Sequence, residues 1–241
     1  MTPYAGLEFA NYFREEDVPY IVHGLKEFLK TENIQRCIIK QAPEFFHPAS
    51  ASLRKELTGS EFQINKEINH HIVLEESLQK IDPMQMRRIR KCQQAGFRFE
   101  KVKPDSAEAV HQFLSKCRQQ QGIQINIDIR KFINLTNLLP NDFEMYSVRN
   151  SEGTTLAALV TIAINESVVY SYLPAFDRAF SEYSPLTYLF YEYFQLAAKR
   201  FKVLDLGISS IHGKPQTSLI QFKQRMGGIP SDRYVFQIDL D

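Results

Sequence analysis

Neither sign of charge dominates this sequence. Its 29 Lys and Arg stand against 28 Asp and Glu, and the balance holds in each half, 14 against 13 in residues 1–98 and 15 against 15 thereafter. Such a chain has no overall field to draw nucleic acid, which leaves only local basic faces for that purpose. No apolar run reaches the roughly 18 residues of a membrane span, and Met1–Ala10 lacks the apolar core of a secretory leader. Cysteine is scarce: Cys37, Cys92 and Cys117 are odd in number, far apart and form no CxxC pair. These absences point to a reduced, cytoplasmic chain with no structural zinc site. What is present is ordinary globular material, 44% hydrophobic and 24% charged over 241 residues, enough for one large domain or two small ones.

The second half is the more legible. Glu144–Arg149, Leu156–Ile164 and Val168–Leu173 read as three strands of a meander, the middle one continuously apolar and so buried on both faces. Pro174–Tyr183 reads as a polar loop. Ser184 then stands as an N-cap before Pro185, and Leu186, Leu189, Phe190, Tyr193, Phe194, Ala197 and Phe201 recur at helical spacing. Val203–Ile208 is a buried strand, which a helix crossover makes parallel to Val168–Leu173. A helix over Thr217–Met226, closed by Gly227-Gly228, and a strand over Arg233–Leu240 complete the half.

The first half repeats that tail. Helix Tyr20–Lys30, strand Arg36–Lys40, helix Ala49–Leu57 and strand Asn69–Leu74 align with the second half at one offset of 166 residues, with Pro19 on Pro185, Ile38 on Leu204, Leu53 on Leu219 and Ile72 on Ile238. A constant offset over four elements favours duplication. At that offset Met1 falls on Ser167, so the first copy lacks the opening strands of the second. Such a truncated sheet exposes an edge, which implies either a shortened version of a longer chain or a partner subunit, such as a second copy in a homodimer, that covers it. Between the copies lie a basic helix, Asp82–Gly96, a short strand at Glu100–Val102 and a helix over Ser106–Gln120.

A meander followed by helix, strand, helix and strand resembles the GNAT N-acyltransferase fold. Two such units with RRIRKxxxxGF between them (Arg87 to Phe97), and DLGIS (Asp205–Ser209) followed by LIQFKQRMGG (Leu219–Gly228), look like the Fem-type branch of that superfamily. The resemblance covers nearly the whole chain. It implies a mixed α/β fold of the α+β class: tandem GNAT-like units, a partial one with the linker helix in 1–98 and a complete one in 99–241. It also implies an acyl-CoA donor, acetyl-CoA above all, and an amine acceptor. One departure is plain. The superfamily's acetyl-CoA users carry glycines before the central helix to let backbone N–H groups close on a pyrophosphate, and Asp177–Tyr183 has none.

Against that pattern, several residues are candidates. Lys223, with Phe222 beside it, is placed to offer positive charge where an acyl transfer develops negative charge; the plain alternative is an exposed helix lysine. Asp205, Gly207 and Ser209 alternate along one strand and so share a face, where Gly207 has room to admit a chain and Ser209 a hydroxyl to bond it. The alternative has Asp205 bonded to neighbouring backbone and Gly207 at a bend. Tyr170 and Tyr172 share a face too, as substrate contact and acid respectively or simply as packing. The start of the central helix, Ser184, Pro185 and Leu186, takes the phosphate role. Glu166, Asp177 and Glu182 are all available as bases, and nothing in their spacing selects among them. Arg87, Arg88, Arg90 and Lys91 form the densest basic cluster, either a phosphate or tRNA contact or a solvated helix face. His70 and His71 face opposite ways, which argues against a metal, and His212 near Ser209 has no third group to orient it as part of a nucleophile pair. The leading expectation is acyl transfer from a thioester to an amine. The runner-up is Fem-type transfer from an aminoacyl-tRNA to a peptidoglycan precursor, and a third reading is a non-catalytic binding remnant.

Overall fold

A computed structural model describes residues 14–211 and 213–240. Residues 1–13, His212 and Asp241 lie outside the described residues, and with them Met1–Ala10 and the His212 pairing. By its contacts the chain forms two compact units. One comprises Met1–Asn69, Ile208–Thr217 and Pro230–Asp241, and the other His70–Gly207 and Ser218–Ile229. This division differs from the tandem boundary after residue 98, which concerns duplication rather than contact.

Along the chain come α1 (Val18–Thr31), β1 (Arg36–Lys40), α2 (Ser50–Gly59), β2 (Gln63–Val73), α3 (Pro83–Gln94), β3 (Arg98–Val102), α4 (Ala107–Gln119), α5 (Ile129–Leu138), β4 (Phe143–Arg149), β5 (Thr155–Ala163), β6 (Val168–Phe176) and α6 (Pro185–Ala197). Then follow β7 (Val203–Ile208), the short β8 (Ser210–Ile211) and β9 (Lys214–Pro215), α7 (Thr217–Arg225) and β10 (Ile229–Asp239). Among the described residues no helix is long and apolar enough to cross a membrane.

In the first unit β1 runs antiparallel to β10, from Arg36 opposite Asp239 to Lys40 opposite Val235. Val18, Val22 and Leu29 of α1 and Leu53 and Leu57 of α2 recur at helical spacing and close over Ile39, Phe236 and Ile238. The largely buried guanidinium of Arg233 grips the Glu67 carboxylate through two nitrogens, which satisfies a charge the sheet would otherwise strand.

In the second unit β4, β5 and β6 form the expected antiparallel meander, and β3 adds a fourth strand beside β4. The residues of β5 alternate between two cores, which is why the strand is apolar throughout. Leu159 packs under α6 with Tyr193 and Phe194, while Ala158 and Val160 pack under α4 and α5 with Leu114 and Phe132. The crossover through α6 brings β7 parallel to β6, as expected.

The differences from the sequence reading are local. Pro174–Phe176 continues β6 instead of opening a loop. A proline is admissible in a strand where its missing N–H faces an unpaired edge, and β7 pairs only with Val168, Val169 and Tyr170. Helix α5, with its Asp128 cap on the Lys131 N–H, went unread because a polar, Gln-rich stretch precedes it.

Candidate functional site

β6 and β7 are hydrogen-bonded partners for three residues and then part: Val168 pairs with Val203, Val169 with Leu204 and Tyr170 with Asp205. Two features bend the strands away from each other. On β6 the register against β5 slips between Val160 and Thr161, so Tyr172 is an extra, bulged residue without a partner on β5. On β7 Gly207 adopts φ +73°, a conformation that glycine alone enters freely. The Tyr170 ring lies against that glycine, and a Cβ there would come within 3.3 Å of the ring carbon Cε2.

The Gly207 peptide is held from both sides. Asp205, wholly buried, accepts the Gly207 N–H through Oδ1 at 2.9 Å. Lys223, 5% exposed, donates its Nζ to the Gly207 carbonyl at 2.7 Å. The exposed-lysine reading therefore fails. Phe222 packs toward Phe190 at 6.1 Å between ring centroids and seats α7 on the core, and the next residue, Lys223, reaches β7. The double glycine closes this helix for a steric reason. The Gly228 N–H returns to the Lys223 carbonyl at 2.8 Å, and a Cβ at Gly228 would stand 2.6 Å from that oxygen.

Burial drags the Lys223 ammonium down to about 7, and the Asp205 carboxylate opposes the shift. His70, wholly buried on β2, is driven down to about 4 by its burial, then by Lys223 and His71, and is neutral at neutral pH. Sequence reasoning weighed His70 only as a metal ligand. Its neighbourhood with Lys223 arises from tertiary packing, which no local spacing announces. Among the described residues no group of three or more His, Cys, Asp and Glu is arranged to hold a metal.

The remaining candidates divide. Tyr172 is half-buried between Tyr170 and Phe143, at 6.1 and 6.2 Å between centroids, and burial raises its hydroxyl. Ser209 lies beyond the strand that was expected to align it with Asp205 and Gly207: Gly207 takes a positive φ, β7 stops at Ile208, and the Ser209 N–H bonds the Ile68 carbonyl. Ser184 is no N-cap. It sits at φ 57°, ψ 55° and makes no side-chain capping bond, while Pro185 occupies the expected first position and Leu186 packs on the core. Of the proposed bases, Asp177 accepts the Ala179 N–H, Glu182 lies 3.8 Å from Lys91, and Glu166 is exposed in the β5–β6 turn.

The loop before α6 does not fit a pyrophosphate cradle. The N–H groups of Ala179, Phe180, Ser181, Tyr183, Ser184 and Thr187 all bond within the loop's own turns, and Pro185 has none to give. Basic helix α3 braces this loop. Lys91 donates to the Glu182 carbonyl at 3.2 Å and covers the Tyr183 ring, and Cys92 donates to the Tyr183 carbonyl. Arg87 and Arg90 remain exposed.

A meander, a crossover helix and a parallel pair that parts over a bulge define the GNAT class of acyltransferase fold. The sequence carries the pattern described as Acetyltransferase (GNAT) domain over residues 85–214, more than half of its length, and the chain belongs to that family. No curated protein matches it. Among solved structures it is similar to FemX, at 14% identity and TM-score 0.74, with 99% of this chain and 82% of that one covered. It is also similar to L-PGS from Bacillus licheniformis, at 11% identity and TM-score 0.66 over 92% of this chain and 74% of that one. At such identities the likeness establishes the fold.

Proposed function

We propose that this chain transfers an acyl group from an activated ester or thioester to an amine. The observation that carries the proposal is the parting of β6 and β7 beside a buried lysine bonded to the peptide at the bend. In the reaction the amine nitrogen attacks the acyl carbonyl, a C–N bond forms, and the C–S or C–O bond to the leaving group breaks. The amine's proton departs with the thiol or hydroxyl. Negative charge collects on the carbonyl oxygen in between, and Lys223 is the cation positioned to stabilise it. Preorganised donors in such a role are worth about 10²–10³ in rate. Tyr170 and Tyr172 form the wall along which the acyl chain lies, and Asp205 keeps Lys223 and Gly207 in register.

The loop before α6 bears on the choice of donor. With the N–H groups of Ala179, Phe180, Ser181, Tyr183 and Ser184 engaged in its own turns, that loop favours an aminoacyl ester of tRNA over the pyrophosphate of acetyl-CoA, and the exposed Arg87 and Arg90 suit a phosphate backbone. The test offers both donors to the purified chain with an amine panel, reading thiol release from acetyl-CoA and amine-dependent deacylation of aminoacyl-tRNA. Turnover with aminoacyl-tRNA is expected. Turnover with acetyl-CoA alone would overturn the donor reading, and no turnover with either would leave a binding module.

A further inference from the structure

We infer that Arg118 is a positioning residue that holds β6 away from β7 and so keeps the site open. The strand register fixes which way the backbone of Pro174 points. The Asp177 N–H bonds the Leu156 carbonyl at 2.9 Å, so Leu156 and Asp177 form a hydrogen-bonded pair. Pairs in an antiparallel ladder alternate, and Ala158–Ala175 is therefore the next bonded pair while Leu159–Pro174 is a non-bonded one. In a non-bonded pair the backbone groups point away from the partner strand. The Pro174 carbonyl thus faces the edge that β7 occupies lower down, at Val168–Tyr170.

At this point β6 has been stripped of what β7 would need. Pro174 has no N–H to donate, and its carbonyl is taken by Nη2 of Arg118 at 2.9 Å. Arg118 belongs to the last turn of α4, whose preceding residue, Cys117, is wholly buried and fixes the helix on the sheet. The guanidinium itself is largely enclosed, and that burial lowers its pKa against a smaller opposing effect of the neighbouring Tyr170. Arg118 therefore couples α4 to β6 just past the bulge, on the side where Tyr170 and Gly207 meet. It reaches the reacting atoms only through the strand it holds.

The consequence for activity rests on the proposed acyl transfer, but the structural test does not. Hydrogen exchange of the segments 168–176 and 203–208 is compared among the parent, Arg118→Met, Arg118→Lys and Pro174→Ala, together with a crystal structure of the Met variant. Arg118→Met frees the carbonyl, and Pro174→Ala restores a donor on the same edge. Both are expected to extend the β6–β7 pairing past Tyr170–Asp205 and to slow exchange in these segments at least threefold. Arg118→Lys, which keeps a cationic donor, is expected to match the parent within twofold. Pairing that still stops at Tyr170–Asp205 in the Met variant, with exchange unchanged, would overturn the inference. Should the Met variant not fold, Pro174→Ala decides alone by the same exchange criterion. Where turnover is measurable, Arg118→Met is expected to raise KM about tenfold with kcat within twofold, and a fall in kcat at constant KM would count against a positioning role. Absence of turnover in the parent would refute the proposed reaction while leaving the strand measurement able to decide on Arg118.

Discussion

The two halves of β6 differ although they are one strand. Val168–Tyr170 is paired with β5 on one edge and β7 on the other, whereas from Ser171 onward only β5 remains in register. The paired half belongs to the core, with Val168 and Val169 fully buried. The open half carries the bulge at Tyr172, and the groups gathered where β7 departs are polar: Asp205, Gly207, Lys223 and Tyr170. A sheet that stayed zipped would satisfy its own backbone. One that parts must hold its loose groups with side chains, and that is what makes room for chemistry.

The strongest way to break this comparison is to remove the cation at the open half. Lys223→Met is expected to lower acyl transfer about 10²-fold or more while keeping the circular dichroism spectrum of the parent. The same variant sharpens the account through pH. The folded-state value for Lys223, about 7, lies below its ordinary 10.5. Between those limits the unfolded chain holds more protons, so the parent's stability rises with pH across that window and is lower below it. Each pKa unit is worth about 1.4 kcal/mol. Thermal melts at pH 7 and pH 9.5 should show the parent gaining on Lys223→Met at the higher pH.

Next in size are the glycines that shape the bend. Gly207→Ala forces a left-handed conformation, at about 1–2 kcal/mol, and presses a methyl toward Tyr170. A fall in Tm of about 2–8 °C is expected for a domain of this size. Asp205→Asn retains an acceptor for the Gly207 N–H but removes the charge that favours protonated Lys223. Its expected effect is a shift of the alkaline limb of the pH–rate profile to lower pH, with little change in Tm. The smallest effect lies away from the strand, in the loop before α6: Lys91→Ala loses one exposed hydrogen bond and a cation–π contact, about 0.5–1 kcal/mol in a melt, and leaves the acyl-transfer rate unchanged.

How much of this was legible in the sequence depends on what set each element. Helix α6 and strands β1 and β5 were readable because their patterns follow from burial alone, which the residues record directly. Lys223 stood out by its place before a double glycine, yet its burial against Gly207 did not, since an amphipathic helix gives no sign of which partner strand a polar residue will meet. Asp205 and Gly207 were read as a pair, and the plainer of their two readings, a carboxylate on neighbouring backbone and a glycine at a bend, is the geometry found. Two left-handed residues limit what the sequence showed: Gly207 interrupts the strand alternation from which the role of Ser209 was inferred, and Ser184 itself, inferred as a cap from the Ser-Pro start signal, makes no side-chain capping bond. The nearness of His70 to Lys223 and the bond from Arg118 to Pro174 were invisible because each joins residues far apart in sequence.

The measurement that tests the central claim most directly is amine-dependent acyl transfer by the parent and by Lys223→Met, run side by side with acetyl-CoA and with aminoacyl-tRNA as donors. The account predicts turnover by the parent and a loss of about 10²-fold or more in the variant, with both proteins folded. Equal rates in the two proteins, or no transfer from either donor, would contradict it.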